Sequence, residues 1–188
     1  MAMHYLNKRV EEVKNGKNRE LLWILEHPTT YTAGESFNKK EIIDKKIKIV
    51  KSKRGGKITL HNPGQKIVYF VIDLNKRKKD IRRLINIVEK SIIQFLKNYK
   101  IESKSDKKNI GIWVNDKKIA AIGIRVSRWV AYHGCSINIS NNLNQYLKIV
   151  PCGLNNRMVT SVSKITSTKL TNYENNLADI FIKNINSI

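Results

Sequence analysis

An α+β fold is what the chain predicts, on three observations. Helix-periodic segments open it, interrupt it near the middle and close it, while the strand-like runs fall in groups between them instead of alternating one for one with helices. Apolar runs between residues 111 and 139 are separated by two-residue turns, the pattern of an antiparallel meander. No internal repeat or low-complexity linker interrupts the 188 residues, so residues 1–188 read as one domain, long enough to bury a core.

In order, Leu6, Val10 and Val13 recur at helical spacing before Asn15-Gly16-Lys17-Asn18 stops the pattern. Leu21-Leu22-Trp23-Ile24-Leu25 is a continuous apolar run that fits a buried strand and ends at Glu26-His27-Pro28. Residues 29–36 read as a loop and residues 47–50 as a short strand leading to the tight turn Arg54-Gly55-Gly56-Lys57. Residues 59–65 read as a second turn, and residues 67–74 as the central strand. Asp80 is placed to cap a helix in which Ile81, Leu84, Ile85, Val88, Ile92, Phe95, Leu96 and Tyr99 share a face. The meander then comprises residues 111–114, 118–126 and 129–139, with turns at Asn115-Asp116 and Ser127-Arg128. Leu177, Ile180, Phe181, Ile185 and Ile188 mark a C-terminal helix that can cover a sheet.

Lys and Arg outnumber Asp and Glu by 36 to 15, a net charge of +21, well beyond what solubility needs, so an acidic partner is expected. The excess is spread along the chain, with dense stretches at residues 39–57 and 76–83. Nucleic acid would want aromatics interleaved with these cations, whereas Trp23, Trp113 and Trp129 sit in apolar or strand-like contexts that suggest core packing. Cys135 and Cys152 do not make a disulfide framework, and a reducing cytoplasm fits. Neither a signal-peptide pattern nor a membrane span is seen, so a soluble cytoplasmic protein is expected.

No metal is expected, because His4, His27, His61 and His133 lack ligand neighbours at metal-binding spacing. Walker and GxGxxG loops are also absent. Two residues carry potential chemistry. Cys152 sits between Pro151 and Gly153, on an irregular segment where a thiol can point into a cleft. Lys118 opens the apolar run Lys118-Ile119-Ala120-Ala121-Ile122-Gly123-Ile124, where burial disfavours the ammonium form and makes the amine a potential base. Each also has a structural reading, the thiol as a small hydrophobe and the lysine as a strand-end charge.

Four motifs, taken together, resemble the lipoyl(octanoyl) transferases. They are residues 22–34 with Glu26-His27-Pro28 and Tyr31-Thr32-Ala33-Gly34, and then Arg54-Gly55-Gly56-Lys57-Ile58-Thr59-Leu60-His61-Asn62-Pro63-Gly64-Gln65. Next come residues 118–130 with Tyr132-His133-Gly134, and finally Val150-Pro151-Cys152-Gly153-Leu154. The chain departs from the pattern at Leu60, where tyrosine is expected, at Asn62, where glycine is expected, and at Cys135, where an aromatic is common. The resemblance implies the fold of biotin and lipoate protein ligases, a mixed, largely antiparallel sheet flanked by helices. It implies octanoyl transfer from octanoyl-acyl carrier protein through a Cys152 thioester, with Lys118 as partner, to a specific lysine of lipoyl domains. The acceptors would be those of 2-oxoacid dehydrogenase complexes and the glycine cleavage H protein. By the same resemblance, Arg54, Gly55, Gly56, Lys57, Ile58, Thr59, Leu60, His61, Ala121, Ile122, Gly123, Gly134, Cys135 and Ser136 would bind substrate. No cofactor, nucleic acid or membrane is implied, and a monomer is expected. Cys135 by itself reads as structural, and His27 and His133 as hydrogen-bonded scaffold residues. An ATP-dependent ligase on the same fold and a basic nucleic-acid-binding module are the alternatives.

Overall fold

The computed structural model describes residues 2–150, 159–168, 170 and 172–188. Its elements are α1 (Ala2–Lys14), β1 (Leu21–Leu25), β2 (Thr30–Ala33), β3 (Ile49–Lys51), β4 (Ile58–His61), β5 (Gln65–Asp73), α2 (Ile81–Lys97), β6 (Lys104–Ser105), β7 (Ile112–Val114), β8 (Lys117–Ser127), β9 (Val130–Asn138), α3 (Val162–Ile165) and α4 (Tyr173–Ile185). Among the described residues the strands form a six-stranded sheet in the order β1-β5-β9-β8-β7-β6 and a three-stranded sheet in the order β3-β2-β4. All pairings in the large sheet are antiparallel. In the small one β2 runs parallel to β3 and antiparallel to β4. This is the α+β architecture, largely antiparallel and flanked by helices, that the sequence predicts.

Period-2 alternation sorts the central strand's side chains onto two cores. Val68, Phe70 and Ile72 of β5 meet Leu84, Val88, Ile92 and Phe95 of α2 and Leu177, Ile180 and Phe181 of α4. Ile67, Tyr69 and Val71 meet Leu6, Val10 and Val13 of α1 on the other face. With both faces covered, all nine residues of β5 are buried. Asp80 caps α2 by accepting from the Arg83 N–H. A third cluster, Tyr31, Ile58, Leu60, Leu143, Tyr146 and Ile149, lies under the small sheet.

Several expectations are corrected. Leu21–Leu25 is an edge strand, half-buried throughout, although its alternate side chains do pack on both cores. Residues 30–33 and 58–61 are strands of the small sheet, not loop and turn, because each satisfies its backbone groups by pairing with the other. The short strand expected at residues 47–50 sits at Ile49–Lys51. The second meander turn is centred one residue later than expected, with positive φ at both Arg128 (51°) and Trp129 (63°), so Trp129 stands at a hairpin tip, 38% exposed, and not in the core.

Candidate active site

The site is built where the small sheet lies against the large one. On β4, Ile58 and Leu60 turn into the cluster under the small sheet, which leaves Thr59 and His61 on the opposite face. Cross-strand register puts Thr32 beside Thr59 and Thr30 beside His61. Arg54 is clamped on this face: its Nη2 donates to the Thr32 carbonyl (2.7 Å) and hydroxyl (3.0 Å), and its Nη1 donates to the Gly55 carbonyl (3.0 Å). The turn is compact enough to require glycine at position 34, where a Cβ would stand 2.2 Å from the Gly56 carbonyl oxygen. Lys57 leaves this group, its Nζ pairing with the buried Glu41 at 3.1 Å.

The large sheet contributes Gly123 and Gly134, paired with each other across β8 and β9, and Ala121 paired with Ser136. Gly123 lies against the Gly55 carbonyl and the Arg54 side chain. The neighbouring Ile122 and Cys135, also paired, point the other way, into the core beneath α2 and α4. Their side chains therefore lie off the Arg54 face, and only their backbones border it. Burial among apolar groups pushes the Cys135 thiol far up, as for an inert core cysteine.

His133 takes a left-handed φ of 69°, and its ring stacks on Tyr132 with centroids 4.9 Å apart, breaking the alternation of β9. Gly134 follows at φ 152°, where a Cβ would come 1.9 Å from the Val68 carbonyl oxygen, so no side chain fits. The expectation of a hydrogen-bonded scaffold holds for His27, whose Nε2 lies 2.9 Å from the Tyr69 hydroxyl. It fails for His133, whose buried Nε2 has no hydrogen-bond partner among the described residues. Burial first, and then the charges of Arg54 and Arg125, lower the His133 imidazole to about 4. Burial likewise raises the Tyr69 phenol to about 12.

Lys118 lies near the start of β8 and is 6% exposed. Its Nζ donates to the Ile110 carbonyl (3.0 Å) and stands 5.0 Å from the centre of the Trp113 ring. Among the described residues no carboxylate pairs with it. Its main chain pairs in parallel with Val159, and its carbonyl accepts from the Thr160 N–H at 2.9 Å. Cys152, with Pro151, Gly153 and Leu154, lies outside the described residues. Val150, which precedes that stretch, donates its N–H to the Glu41 carbonyl at 2.8 Å.

The three departures from the motif pattern fall on scaffold positions. Leu60 is enclosed under the small sheet, and Cys135 in the helix-side core. Asn62 ties the turn after β4 to residues 141–145, donating to the Asn142 carbonyl and to Gln145 and accepting from Asn141, each at 3.0 Å. A polar chain from His61 through Gln65 and Asn138 to Thr160 is a feature that the sequence reading missed. Its members are scattered over residues 61–160, so no spacing signals it.

Among the described residues no three His, Cys, Asp or Glu side chains come together as a metal would need, and no helix is long and apolar enough to cross a membrane.

Comparisons with known proteins follow the same lines. The octanoyltransferase of Anaplasma phagocytophilum is 44% identical over 168 residues, covering 86% of this chain and 81% of that protein. That of Wolbachia pipientis from Culex pipiens is 43% identical over 169 residues, covering 87% and 82%. The octanoyltransferase of Bartonella tribocorum is 41% identical over 174 residues, covering 85% and 71%. Among solved structures, a lipoate-protein ligase A bound with ATP superposes with a TM-score of 0.76 at 13% identity, covering 90% of this chain and 74% of that one. A bipartite lipoate protein ligase from Thermoplasma acidophilum gives 0.73 at 14% identity, covering 96% and 80%, and at such identities these two speak for the fold alone. The resemblance to the lipoyl(octanoyl) transferases read from the four motifs is thus confirmed by relatives that are acyltransferases. The sequence profile of the lipoyl protein ligase A/B catalytic domain matches residues 1–181, and the chain belongs to that family.

Proposed function

We propose that residues 1–188 form one catalytic domain that moves an octanoyl group from octanoyl-acyl carrier protein onto a specific lysine of lipoyl domains, by way of a thioester on Cys152. The observation that carries the reading furthest is Lys118, a buried lysine without a carboxylate partner among the described residues. A lysine buried for structure alone is normally paired, so an unpaired one argues for chemistry.

The two half-reactions balance around that amine. Cys152 starts as thiolate beside the Lys118 ammonium, attacks the donor thioester carbonyl, and forms the new C–S bond as the donor's C–S bond breaks. Lys118 gives its proton to the departing pantetheine thiolate and is left neutral. The acceptor amine then attacks the acyl-enzyme, the C–N bond forms, Lys118 takes the amine's proton, and the Cys152 thiolate leaves. One thioester is exchanged for another in the first step, so no nucleotide is needed. The main-chain bonds that hold Lys118 against Val159 and Thr160, on the chain returning from the Cys152 stretch, support the pairing of the two residues.

Arg54, Gly55, Gly56 and Thr59, with Ala121, Gly123, Gly134 and Ser136, supply the acyl and pantetheine surface in this reading, with His61 beside Thr59 on the same face of β4, and the enzyme works in the cytoplasm as a monomer. Transfer from octanoyl-acyl carrier protein to an apo-lipoyl domain, followed by intact mass without ATP, is expected to proceed at full rate. Strict dependence on ATP would instead make the chain a ligase.

A further inference from the structure

Two backbone carbonyls determine which nitrogen of His61 carries its proton. The Thr160 carbonyl can only accept, so the Asn138 atom 2.9 Å from it is Nδ2, and Asn138 Oδ1 faces Gln65. That oxygen can only accept, so the Gln65 atom 2.8 Å away is Nε2. Gln65 Nε2 also donates to the Tyr146 hydroxyl at 3.0 Å, which in turn donates to the Leu60 carbonyl at 3.4 Å. Gln65 Oε1 is thereby turned to His61 Nδ1 at 2.8 Å, and an amide oxygen requires a donor. His61 therefore carries its proton on Nδ1. Its Nε2 is a bare lone pair with no hydrogen-bond partner among the described residues.

Both ends of this chain are fixed. Gln65, His61, Asn138 and Thr160 are all buried, and Thr160 is bonded through its own N–H to the carbonyl of Lys118. His61 stays neutral in this place: burial first, and then the charges of Arg54 and His27, outweigh the Gln65 bond and lower its imidazole to about 4. So weak a base does not hold a proton at neutral pH, but it accepts hydrogen bonds well. Of the groups that react, the acyl chain has no donor and the thioester carbonyl is itself an acceptor. The incoming amine does carry N–H groups.

We propose that His61 is a catalytic residue of the second half-reaction, accepting a hydrogen bond at Nε2 from the acceptor lysine's amine and aiming its lone pair at the acyl carbonyl, while Gln65 and Asn138 are positioning residues that set the imidazole tautomer. The amine's proton goes to Lys118, so His61 orients and does not titrate during transfer. This proposal rests on the covalent reading above.

The test has two readouts. Long-range proton–nitrogen NMR of the histidine-labelled protein is expected to show His61 protonated at Nδ1, bare at Nε2 and neutral down to pH 5, and Asn138→Leu is expected to mix the tautomers. A proton on Nε2, or a titration near 6.5, overturns the proposal. In single turnover, His61→Ala is expected to slow transfer from the acyl-enzyme to an apo-lipoyl domain by roughly tenfold or more beyond any slowing of Cys152 acylation. Equal slowing of both steps would mean that Nε2 serves the donor's pantetheine amides and would overturn the assignment. Normal acylation with unimpaired transfer overturns this proposal alone, whereas a wild-type protein that never acylates Cys152 overturns the covalent reading and this proposal with it.

Discussion

Lys118 brings an amine into an apolar strand where its described neighbours are a main-chain carbonyl and the face of Trp113. Methionine has nearly the same length and preserves the contacts of the aliphatic stem, so Lys118→Met separates chemistry from packing. Ile110 is exposed, so water can replace the lost donor at its carbonyl, and the stability cost should stay near ~1 kcal/mol. Acylation by octanoyl-acyl carrier protein is expected to fall by about 100-fold or more, as for loss of a proton-transfer group. Stopped-flow or quenched acylation beside a urea titration checks both. At this scale the sequence was informative about Lys118, because its apolar run announces burial. It was ambiguous about Ile122 and Cys135, because a motif read as a continuous string hides the alternation that sends them into the helix-side core.

At the scale of elements, the large sheet and its covering helices were legible, since long periodic segments and two-residue turns carry strong local signals. Of the small sheet only β3 was legible, and two of its three strands were read as loop and turn. Its strands are three or four residues long, too short to show a period, and they are stabilised by pairing with partners distant in sequence. One ion-pair cluster joins the large sheet to α4. Lys66 at the start of β5 pairs with Glu26 after β1 at 2.7 Å and with Glu174 in the first turn of α4, and Glu26 also accepts from the Gly64 N–H at 2.8 Å. Burial works to raise the Glu26 carboxyl, but the bonds from Lys66 and Gly64 outweigh it and hold it below the ordinary 4.5. A depressed carboxyl stabilises the fold above its unfolded value and loses that contribution as pH falls through the lower folded one. Lys66→Met should therefore cost about 1 kcal/mol at pH 7, a modest figure because both carboxylates are partly exposed, and the gap from wild type should narrow below pH 4. Urea unfolding at the two pH values measures it.

Over the whole molecule, the net charge of +21 and the exposed lysines of residues 39–57, which lead into the Arg54 turn, create a field that favours acidic macromolecules at the site's own edge. Steering of this kind acts on association and is screened by salt, while the covalent steps within the site are not. The kcat/KM for the carrier-protein donor is therefore expected to fall by about tenfold or more between 50 and 300 mM salt, with kcat nearly unchanged. A small octanoyl-pantetheine donor should show far less dependence. Composition alone raises the expectation of an acidic partner; it does not say which face would meet one, because that depends on how the cationic segment folds beside the Arg54 turn.

In the proposed reaction the acyl group rests on Cys152 between donor and acceptor. Intact mass after mixing with octanoyl-acyl carrier protein, with the lipoyl domain withheld, reads that intermediate out. One octanoyl adduct is expected on the wild type, released by neutral hydroxylamine and passed on when an apo-lipoyl domain is added, and no thioester adduct is expected on Cys152→Ser. An unchanged adduct labile to neutral hydroxylamine on that variant, or full-rate transfer without any covalent species on the wild type, would rule out the Cys152 intermediate.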